Sequence, residues 1–464
     1  MKVMKFGGSS VADAERIRSV VSIVSRQQSD EIALVLSAMK GVTDLLITAA
    51  TKAAAGDKSY REQYNEVVTR HHRALEELLS GTEELLPEKR RIEVLLDEVG
   101  DLLHGVELVQ ECSPRTLDVI VSFGERLSCG VVAAYIRATG GKAEMVDARE
   151  LVLTDNTHGS AVVEFARTYE LIEKRFAELD GVLPVVTGFI ASTADGITTT
   201  LGRNGSDYTA SLLGAALRAE AVEIWTDVDG VLSADPRVVP EAFVVPEISI
   251  QEAMELSYFG AEVIHPFTMV PAIERGVPLW IKNTLNPEAR GTRISDSPPP
   301  TDRPITGVAS IENVALINVE GGGMMGIPGM ASRVFTAMAH AGVNIIMISQ
   351  ASSEHSICLV VRENEVERAL RGLRRELQYE LQRRQIDDFV HIPGLEIIAV
   401  IGANMRGTPG ISGRLFSALG DAGINVLAIA QGSSEMNISF VVQNNERAHT
   451  LRTVHRAFFA QGVS

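Results

Sequence analysis

Cysteine is scarce in this chain: Cys112, Cys129 and Cys358 are the three in 464 residues, far apart and without C-x-x-C spacing. They point away from a disulfide framework and toward a reducing compartment, with burial as small apolar residues the expected role. Positive charge is also in short supply. Lys and Arg number 43 against 60 Asp and Glu, a formal net charge of −17. That balance argues against nucleic acid or an anionic membrane as the main partner. An anionic ligand would then need locally placed Lys and Arg, so those few positions gain interest. No apolar run approaches the roughly 18 residues of a membrane span, and the stretch from Met1 to Gly8 is too short and glycine-broken for a signal peptide. A cytoplasmic chain is the expectation. No G-x-x-x-x-G-K-[ST] occurs, which excludes a P-loop, and no cluster of Cys and His suggests a metal of its own.

What is present reads as ordinary globular sequence, 45% hydrophobic and 22% charged, long enough for about three domains. Val3-Met-Lys-Phe6 is a short strand running into Gly7-Gly8-Ser9-Ser10, and a helix follows with Ala14, Ile17, Val20, Val21 and Val24 on one face. Ile32–Leu36 is a continuous apolar strand that ends in the polar loop Ser37–Asp44. Strand, glycine loop, helix, strand is a βαβ unit, so the spacing predicts a parallel sheet with right-handed crossovers. Residues 57–111, dense in Glu, Arg and Leu, read as a helical insertion in which His71 and His72 are surface residues.

The first half is organised around Thr200-Leu-Gly-Arg-Asn-Gly-Ser-Asp-Tyr208, set between strands and a helix that Ser206 or Asp207 is placed to cap. Its glycines permit close approach to a ligand, and its amides with the helix N-terminus favour negative charge. Arg203 can fork onto a carboxylate or phosphate. A lysine at the last pleat of a strand, Lys5, followed by two glycines and two hydroxyls, suits a phosphate chain. With these stand Ser122-Phe-Gly-Glu-Arg-Leu127, Val222-Glu-Ile-Trp-Thr226 with Asp227, Asp235-Pro-Arg237 and Lys282-Asn-Thr284, several at predicted strand ends, where open α/β sheets bind ligands. His265-Pro266 reads as a structural turn.

Four prolines in the seven residues Pro298–Pro304 mark 295–304 as a linker. Beyond it lies an internal repeat offset by 81 positions: Ala341-Gly-Val-Asn344 matches Ala422-Gly-Ile-Asn425, and Gln350-Ala-Ser-Ser-Glu354 matches Gln431-Gly-Ser-Ser-Glu435. Each copy reads as a βαββα unit. Gly321-Gly-Gly-Met-Met-Gly326 fits G-x-G-x-x-G, but the second copy loses the middle glycine and Pro328 interrupts the helix start. A dinucleotide site is not the reading.

Taken together, Lys5-Phe-Gly-Gly-Ser-Ser-Val11, Ser122-Phe-Gly-Glu-Arg-Leu-Ser128, Leu201-Gly-Arg-Asn-Gly-Ser-Asp-Tyr208, Glu223-Ile-Trp-Thr-Asp-Val-Asp-Gly-Val231 and Met254-Glu-Leu-Ser-Tyr-Phe-Gly-Ala261 closely resemble the aspartate kinase (aspartokinase) family. The doubled C-terminal unit looks like that family's pair of ACT regulatory modules. The resemblance implies a three-layer αβα amino-acid kinase domain with a mostly parallel central sheet over 1–294. It implies a regulatory region over 305–464, with modules at about 312–390 and 394–464. Ser9 stands where the family usually has Thr, and Leu232 where it often has Tyr. The chain ends just past the second module, so the expectation is a kinase without the homoserine dehydrogenase that some relatives carry fused.

By resemblance the reaction is transfer of the γ-phosphoryl group of ATP, with Mg²⁺, to the β-carboxylate of L-aspartate. Lys5 and Asp207 would be catalytic, and Lys5, Gly7, Gly8, Ser37, Thr226, Asp227, Arg237 and Lys282 would hold ATP. Thr43, Glu125, Arg203 and Ser206 would hold aspartate, Glu125 having a salt bridge with Arg126 as its plainer role. A carboxylate nucleophile is already ionised at neutral pH and needs no general base, which suits a site without an obvious catalytic histidine. Two other readings stay open: a different amino-acid kinase of this architecture, or a ligand sensor whose kinase half is inert. In the repeats, Asn344, Gln350, Asn425 and Gln431 are candidate effector contacts at the two ends of a strand. The Gln-x-Ser-Ser-Glu form resembles threonine-sensitive relatives, so threonine is the expected effector, lysine the second, with a homodimer or dimer of dimers formed through the modules.

Overall fold

The computed structural model describes residues 1–27, 31–260, 266–299, 301–324, 329–350, 356–387 and 389–460. They form two compact units. The first comprises Met1–Val231, Val244–Ile250 and Val263–Pro298, the second Leu232–Phe243, Gln251–Glu262 and Pro299–Ser464. The expected turn at His265, the side chain of Pro266, and Gly326, Pro328 and Glu354 lie outside the described residues.

In the first unit the strands are β1 (Lys2–Phe6), β2 (Ile32–Leu36), β3 (Ala143–Val146), β4 (Leu153–Thr154), β5 (Leu183–Thr187), β6 (Ile190–Thr193), β7 (Thr198–Thr200), β8 (Ala221–Thr226), β9 (Glu247–Ser249), β10 (Leu279–Asn283) and β11 (Thr292–Ser295). Eight of them make one sheet in the order β3-β5-β2-β1-β8-β10-β11-β9. Pairing is parallel from β3 through β10, and the β10–β11 pair alone is antiparallel. The remaining three form a small sheet, β4-β6-β7. The central strands are apolar on both faces because helices cover both.

Strand alternation sends Met4, Phe6, Leu34, Leu36 and Trp225 to one face. There they join a core with helices α1 (Ala14–Ser25), α2 (Val42–Ala54), α3 (Tyr60–Leu79), α4 (Leu85–Val109) and α5 (Pro114–Ala138). Phe6 and Trp225 stack with centroids 5.5 Å apart. The opposite face, which carries Lys5, is covered by α7 (Gly205–Ala216), itself packed against α6 (Phe165–Ala177) and α9 (Pro266–Glu274).

The 57–111 stretch is helical, α3 and α4, but His71 is not a surface residue. It is fully buried, its Nδ1 lies 2.7 Å from the Val67 carbonyl, and burial holds it down at a pKa of about 4. The Leu- and Val-rich spacing of α3 turns that position inward against α2, α4 and α5. The three cysteines are free, as expected, but only Cys129 is fully buried. Helix α5 is long and apolar enough by composition to cross a membrane, yet 83% of that stretch is buried in this unit, which makes it a core helix.

The second unit is built on an antiparallel six-stranded sheet in the order β13-β14-β12-β15-β17-β16. Its strands are β12 (Gly307–Glu320), β13 (Met347–Gln350), β14 (Ser356–Arg362), β15 (Val390–Ile401), β16 (Ala428–Gln431) and β17 (Asn437–Gln443). The repeat is visible as β12-α10-β13-β14-α11 and β15-α13-β16-β17-α14, where α10 is Met330–His340, α11 Val366–Glu376, α13 Ile411–Asp421 and α14 Arg447–Phe459; the helices α8 (Ile250–Tyr258) and α12 (Gln378–Gln382) stand outside this pattern. The long first strands β12 and β15 pair with each other, so the two repeats share one sheet. Each keeps its own apolar core under its own helices. Two earlier segments of the chain belong here: Ala234, Val238 and Val239 pack with Val308, Ile398 and Leu451, and Glu252 accepts a hydrogen bond from Ala403 N at 2.8 Å.

Candidate active site

The loops that follow β1 and β2, the N-terminus of α7 and the middle of α5 close around a cavity of about 410 Å³ in the first unit. Lys5, Gly7, Gly8, Ser37, Thr43, Glu125, Arg203, Ser206 and Asp207 all line it. Nine candidate positions spread over two hundred residues of sequence are therefore neighbours in space.

At its centre is an ion pair. Lys5 occupies the penultimate position of β1 and points to the α7 face; Asp207 occupies the first turn of α7. Lys5 Nζ and Asp207 Oδ1 are 2.5 Å apart, with the side chains 11% and 9% exposed. A charge this deeply buried needs its partner, because removing one leaves the other unpaired in a poorly solvated site. Asp207 does not cap α7, contrary to the sequence reading. Asn204, in the left-handed region at φ +55°, is the N-cap and makes no side-chain cap bond, and the Asp207 carboxylate is turned to Lys5 instead. Gly205 N and Asp207 N donate to the Gly202 and Asn204 carbonyls at 3.1 and 3.0 Å, so the turn into α7 engages those two amides itself.

Two close backbone approaches shape the wall. A Cβ on Gly8 would lie 2.9 Å from the Ala38 carbonyl, and one on Gly188 would lie 2.5 Å from Ser206 Cβ. Side chains there would push apart the β1 and β2 loops, or lift α7 off the end of β5. The Ser37 hydroxyl donates to Ser206 Oγ at 3.0 Å, and Ser128 donates to the Ser37 carbonyl at 2.6 Å. Ser10 and Thr284 hydroxyls meet at 2.8 Å, tying the glycine loop to the end of β10.

Glu125 projects from α5 beneath the β2 loop. One carboxyl oxygen accepts from Ala38 N at 3.1 Å; the other is buried without a hydrogen-bond partner. Burial drives its pKa up to about 8, opposed by the Ala38 hydrogen bond. The salt bridge with Arg126 does not form: Arg126 turns to Glu98 and Asp147 and stacks over Phe123. Glu125 is thus a buried, half-satisfied carboxyl facing a cavity, a group waiting for a donor.

Four nucleotide candidates lie outside this cavity. Thr226 ends β8 and Asp227 follows it, with the hydroxyl donating to the carboxylate at 3.2 Å. Lys282 lines a different cavity of about 390 Å³ with Lys2, Glu223, Trp280 and Arg290, and its Nζ is 3.6 Å from Glu223. Arg237 belongs to the second unit, is exposed, and is bonded to Asp235. In the second unit Asn344, Gln350, Asn425 and Gln431 are all exposed. The strands begin later than the sequence suggests, at Met347 and Ala428, so Asn344 and Asn425 precede them.

Sequence reasoning passed over Lys40, Asp44, Phe189 and Asn204, which also line the site. Lys40 carried a usable signal, a cation inside a flagged polar loop of a chain poor in cations. Phe189 carried none, since its left-handed backbone at φ +68° is set by the turn between β5 and β6.

A cavity walled by glycine loops and a helix N-terminus, at the strand ends of a mostly parallel sheet with a buried Lys–Asp pair, defines a small-molecule site for an anionic ligand. Residues 1–283 match the amino acid kinase family, and 317–377 and 398–458 match the ACT domain. Bifunctional aspartokinase/homoserine dehydrogenase 2 of Arabidopsis thaliana is 40% identical over 98% of this chain and 50% of its own length. The chain thus spans about half the length of the first of the curated relatives it matches. Aspartokinase 1 of the same plant is 36% identical over 99% of this chain and 80% of its own. E. coli aspartokinase III superposes with a TM-score of 0.80 in its complex with aspartate and ADP, at 29% identity, covering 99% of this chain and 100% of that one. In complex with lysine and aspartate the same enzyme gives 0.81, at 30% identity and 99% coverage of each chain. The chain belongs to the aspartokinases of the amino acid kinase family.

The state of Glu125 has a measurable consequence. Its folded pKa is raised from 4.5 to about 8, so above pH 4.5 the unfolded chain releases a proton that the folded chain keeps. This group therefore makes the unliganded protein progressively less stable from pH 4.5 to about 8, by up to about 1.4 kcal/mol per pH unit. Glu125→Gln removes that slope. Urea midpoints of the two proteins should diverge in favour of the variant between pH 5 and 8; a constant difference would contradict it.

Proposed function

We propose that this chain is an aspartate kinase: it transfers the γ-phosphoryl group of ATP to the β-carboxylate of L-aspartate, giving 4-phospho-L-aspartate and ADP. This is the first step toward lysine, threonine and methionine. The observation that carries the reading is the convergence of the Lys5–Asp207 pair, Arg203 and Glu125 on one cavity. Family membership, and a relative crystallised with aspartate and ADP, support it.

The chemistry follows from charge. A β-carboxylate oxygen forms the new P–O bond while the bond from γ-phosphorus to the ADP oxygen breaks, with no proton to remove. Both reactants are anions, so the barrier is one of positioning and neutralisation. Lys5, held by Asp207, meets the charge on the transferring group. Gly7, Gly8 and Ser37 line the phosphates. Arg203 takes a substrate carboxylate, while Thr43 and Ser206 supply hydroxyls. Glu125 accepts the substrate ammonium, ionising as the cation arrives. The nucleotide roles of Thr226, Asp227, Arg237 and Lys282 rest on the family resemblance and not on this cavity. Mg²⁺ would enter on the phosphates: it keeps several waters and takes one or two carboxylates, and Asp207 and Asp44 are the aspartates that line the cavity. Its charge would further neutralise the phosphates.

Lys5→Ala and Asp207→Ala should each lower kcat by at least about a hundredfold, as for removal of one preorganised electrostatic stabiliser. Circular dichroism should show both variants folded. ATP- and aspartate-dependent hydroxamate formation at the wild-type rate in either would remove the assignment. Arg203→Lys should raise the aspartate KM far more than the ATP KM, because an ammonium cannot fork onto a carboxylate. Equal changes in both would place Arg203 on the phosphates.

Regulation by an amino acid is the second part of the proposal, with threonine favoured over lysine and self-association through the C-terminal repeats. Two features support a repeat-based device: Gln350 and Gln431 occupy matching ends of β13 and β16, and Ile348 and Ile429 beside them are 44% and 43% exposed. A differential affinity of a few kcal/mol between active and inactive arrangements suffices. Gln350→Ala and Gln431→Ala should desensitise the enzyme with uninhibited turnover nearly intact. Inhibition by millimolar lysine and not by threonine would reverse the effector assignment.

A further inference from the structure

Glu125 is not the only buried carboxylate on α5. Asp118 stands seven positions earlier, two helical turns away on much the same face, and is 2% exposed. Its surroundings are the opposite of those of Glu125, for every acceptor is occupied. Oδ1 accepts from the Thr200 hydroxyl at 2.7 Å and from Gly159 N at 3.1 Å. Oδ2 lies 2.7 Å from His158 Nδ1 and also accepts from Gly159 N at 3.1 Å.

Both groups it holds lead directly to the wall of the cavity. Thr200 ends β7, two residues before Gly202, and its carbonyl accepts from Ala161 N at 2.9 Å. Gly202 has a left-handed backbone at φ +77°, and a Cβ there would lie 3.3 Å from the Gly159 carbonyl and 3.5 Å from Ser160 Cβ. The loop that carries Arg203 therefore rests on the 158–160 segment, and Asp118 fastens both to the helix that carries Glu125. Asp118 does not line the cavity itself.

We propose that Asp118, acting with His158, Gly159 and Thr200, is a positioning residue that fixes Arg203 relative to Glu125 and so sets the spacing at which a substrate with one carboxylate and one ammonium fits. This rests on the reading of the cavity as an amino-acid site. The phosphate end, built on Lys5 and the β1 and β2 loops, does not depend on the clamp.

Thr200→Val removes one hydroxyl at nearly constant shape; Asp118→Ala removes every contact, and Asp118→Asn keeps one acceptor oxygen. Each should raise the aspartate KM, by about tenfold for Asp118→Ala and less for the other two, with the ATP KM within about twofold of wild type. In an Arg203→Lys background the Thr200→Val effect should largely vanish, since residues that act through one another are not additive. Equal effects on both substrates, or additivity, would overturn the clamp. Amide hydrogen exchange on the unliganded protein tests it independently of any substrate: Thr200→Val should speed exchange across residues 201–205 by about tenfold or more and leave 37–41 unchanged. Unaltered exchange at 201–205 refutes the clamp whatever the enzyme phosphorylates. Altered exchange in a wild-type background that makes no aspartyl phosphate refutes the substrate reading and leaves the clamp standing.

Discussion

The constraint on which the site depends is the burial of two opposite charges against each other, Lys5 from the first strand and Asp207 from the helix that covers it. Neither group is tolerable alone at that depth. Pairing them fixes α7 over β1 at one height, and α7 in turn fixes its N-terminus, its amides and Arg203 at the strand ends. The alternation of β1 does the rest. Lys5 faces α7 because Phe6 faces the other way, where it stacks on Trp225 inside the larger core. A one-residue slip of this strand would exchange the lysine for the phenylalanine and destroy both faces together.

A chain with a net charge of −17 cannot rely on its overall field to collect anions. It relies on local devices instead, and these are mostly backbone. Glycine loops after β1 and before α7, a helix N-terminus and a few hydroxyls provide dipoles that cost no charge repulsion. Lys5, Lys40 and Arg203 are the cations that line the cavity. Such an arrangement suits a reaction in which a carboxylate meets a phosphate chain, since the work is neutralisation at fixed positions and not proton transfer.

Much of this was legible in the sequence, for reasons that differ by element. Apolar runs bounded by glycine loops foretold the parallel strands, and the 81-position offset foretold the two βαββα units, because both patterns are local. The pairing of Lys5 with Asp207 was legible only through the family resemblance, since 202 positions separate them. What stayed hidden was set by packing. His71 looked like a surface residue until three helices enclosed it, and Asp207 looked like a cap until Lys5 claimed it. The grouping of 232–243 and 251–262 with the C-terminal unit had no signal in composition, as their apolar residues would serve either core equally well.

Helix α5 shows how one element can carry both structure and chemistry. Its two buried carboxylates, Asp118 and Glu125, have similar burial and lie two turns apart, yet differ in what surrounds them. Asp118 is saturated with donors, and a saturated carboxylate spends its hydrogen-bonding capacity on holding chain segments in place. Glu125 has one donor and one bare oxygen, and burial raises its pKa to about 8. An unsatisfied buried polar group is costly, and one that lines a cavity can be completed by a ligand. Gly124, beside it, lets the loop that carries the Ala38 donor come close. A Cβ there would sit 2.8 Å from Ala38 Cβ, so the β2 loop lies directly on the helix. The same close packing supplies Glu125 with its single donor, the Ala38 amide, and the cavity that Glu125 lines is a direction from which a second can come.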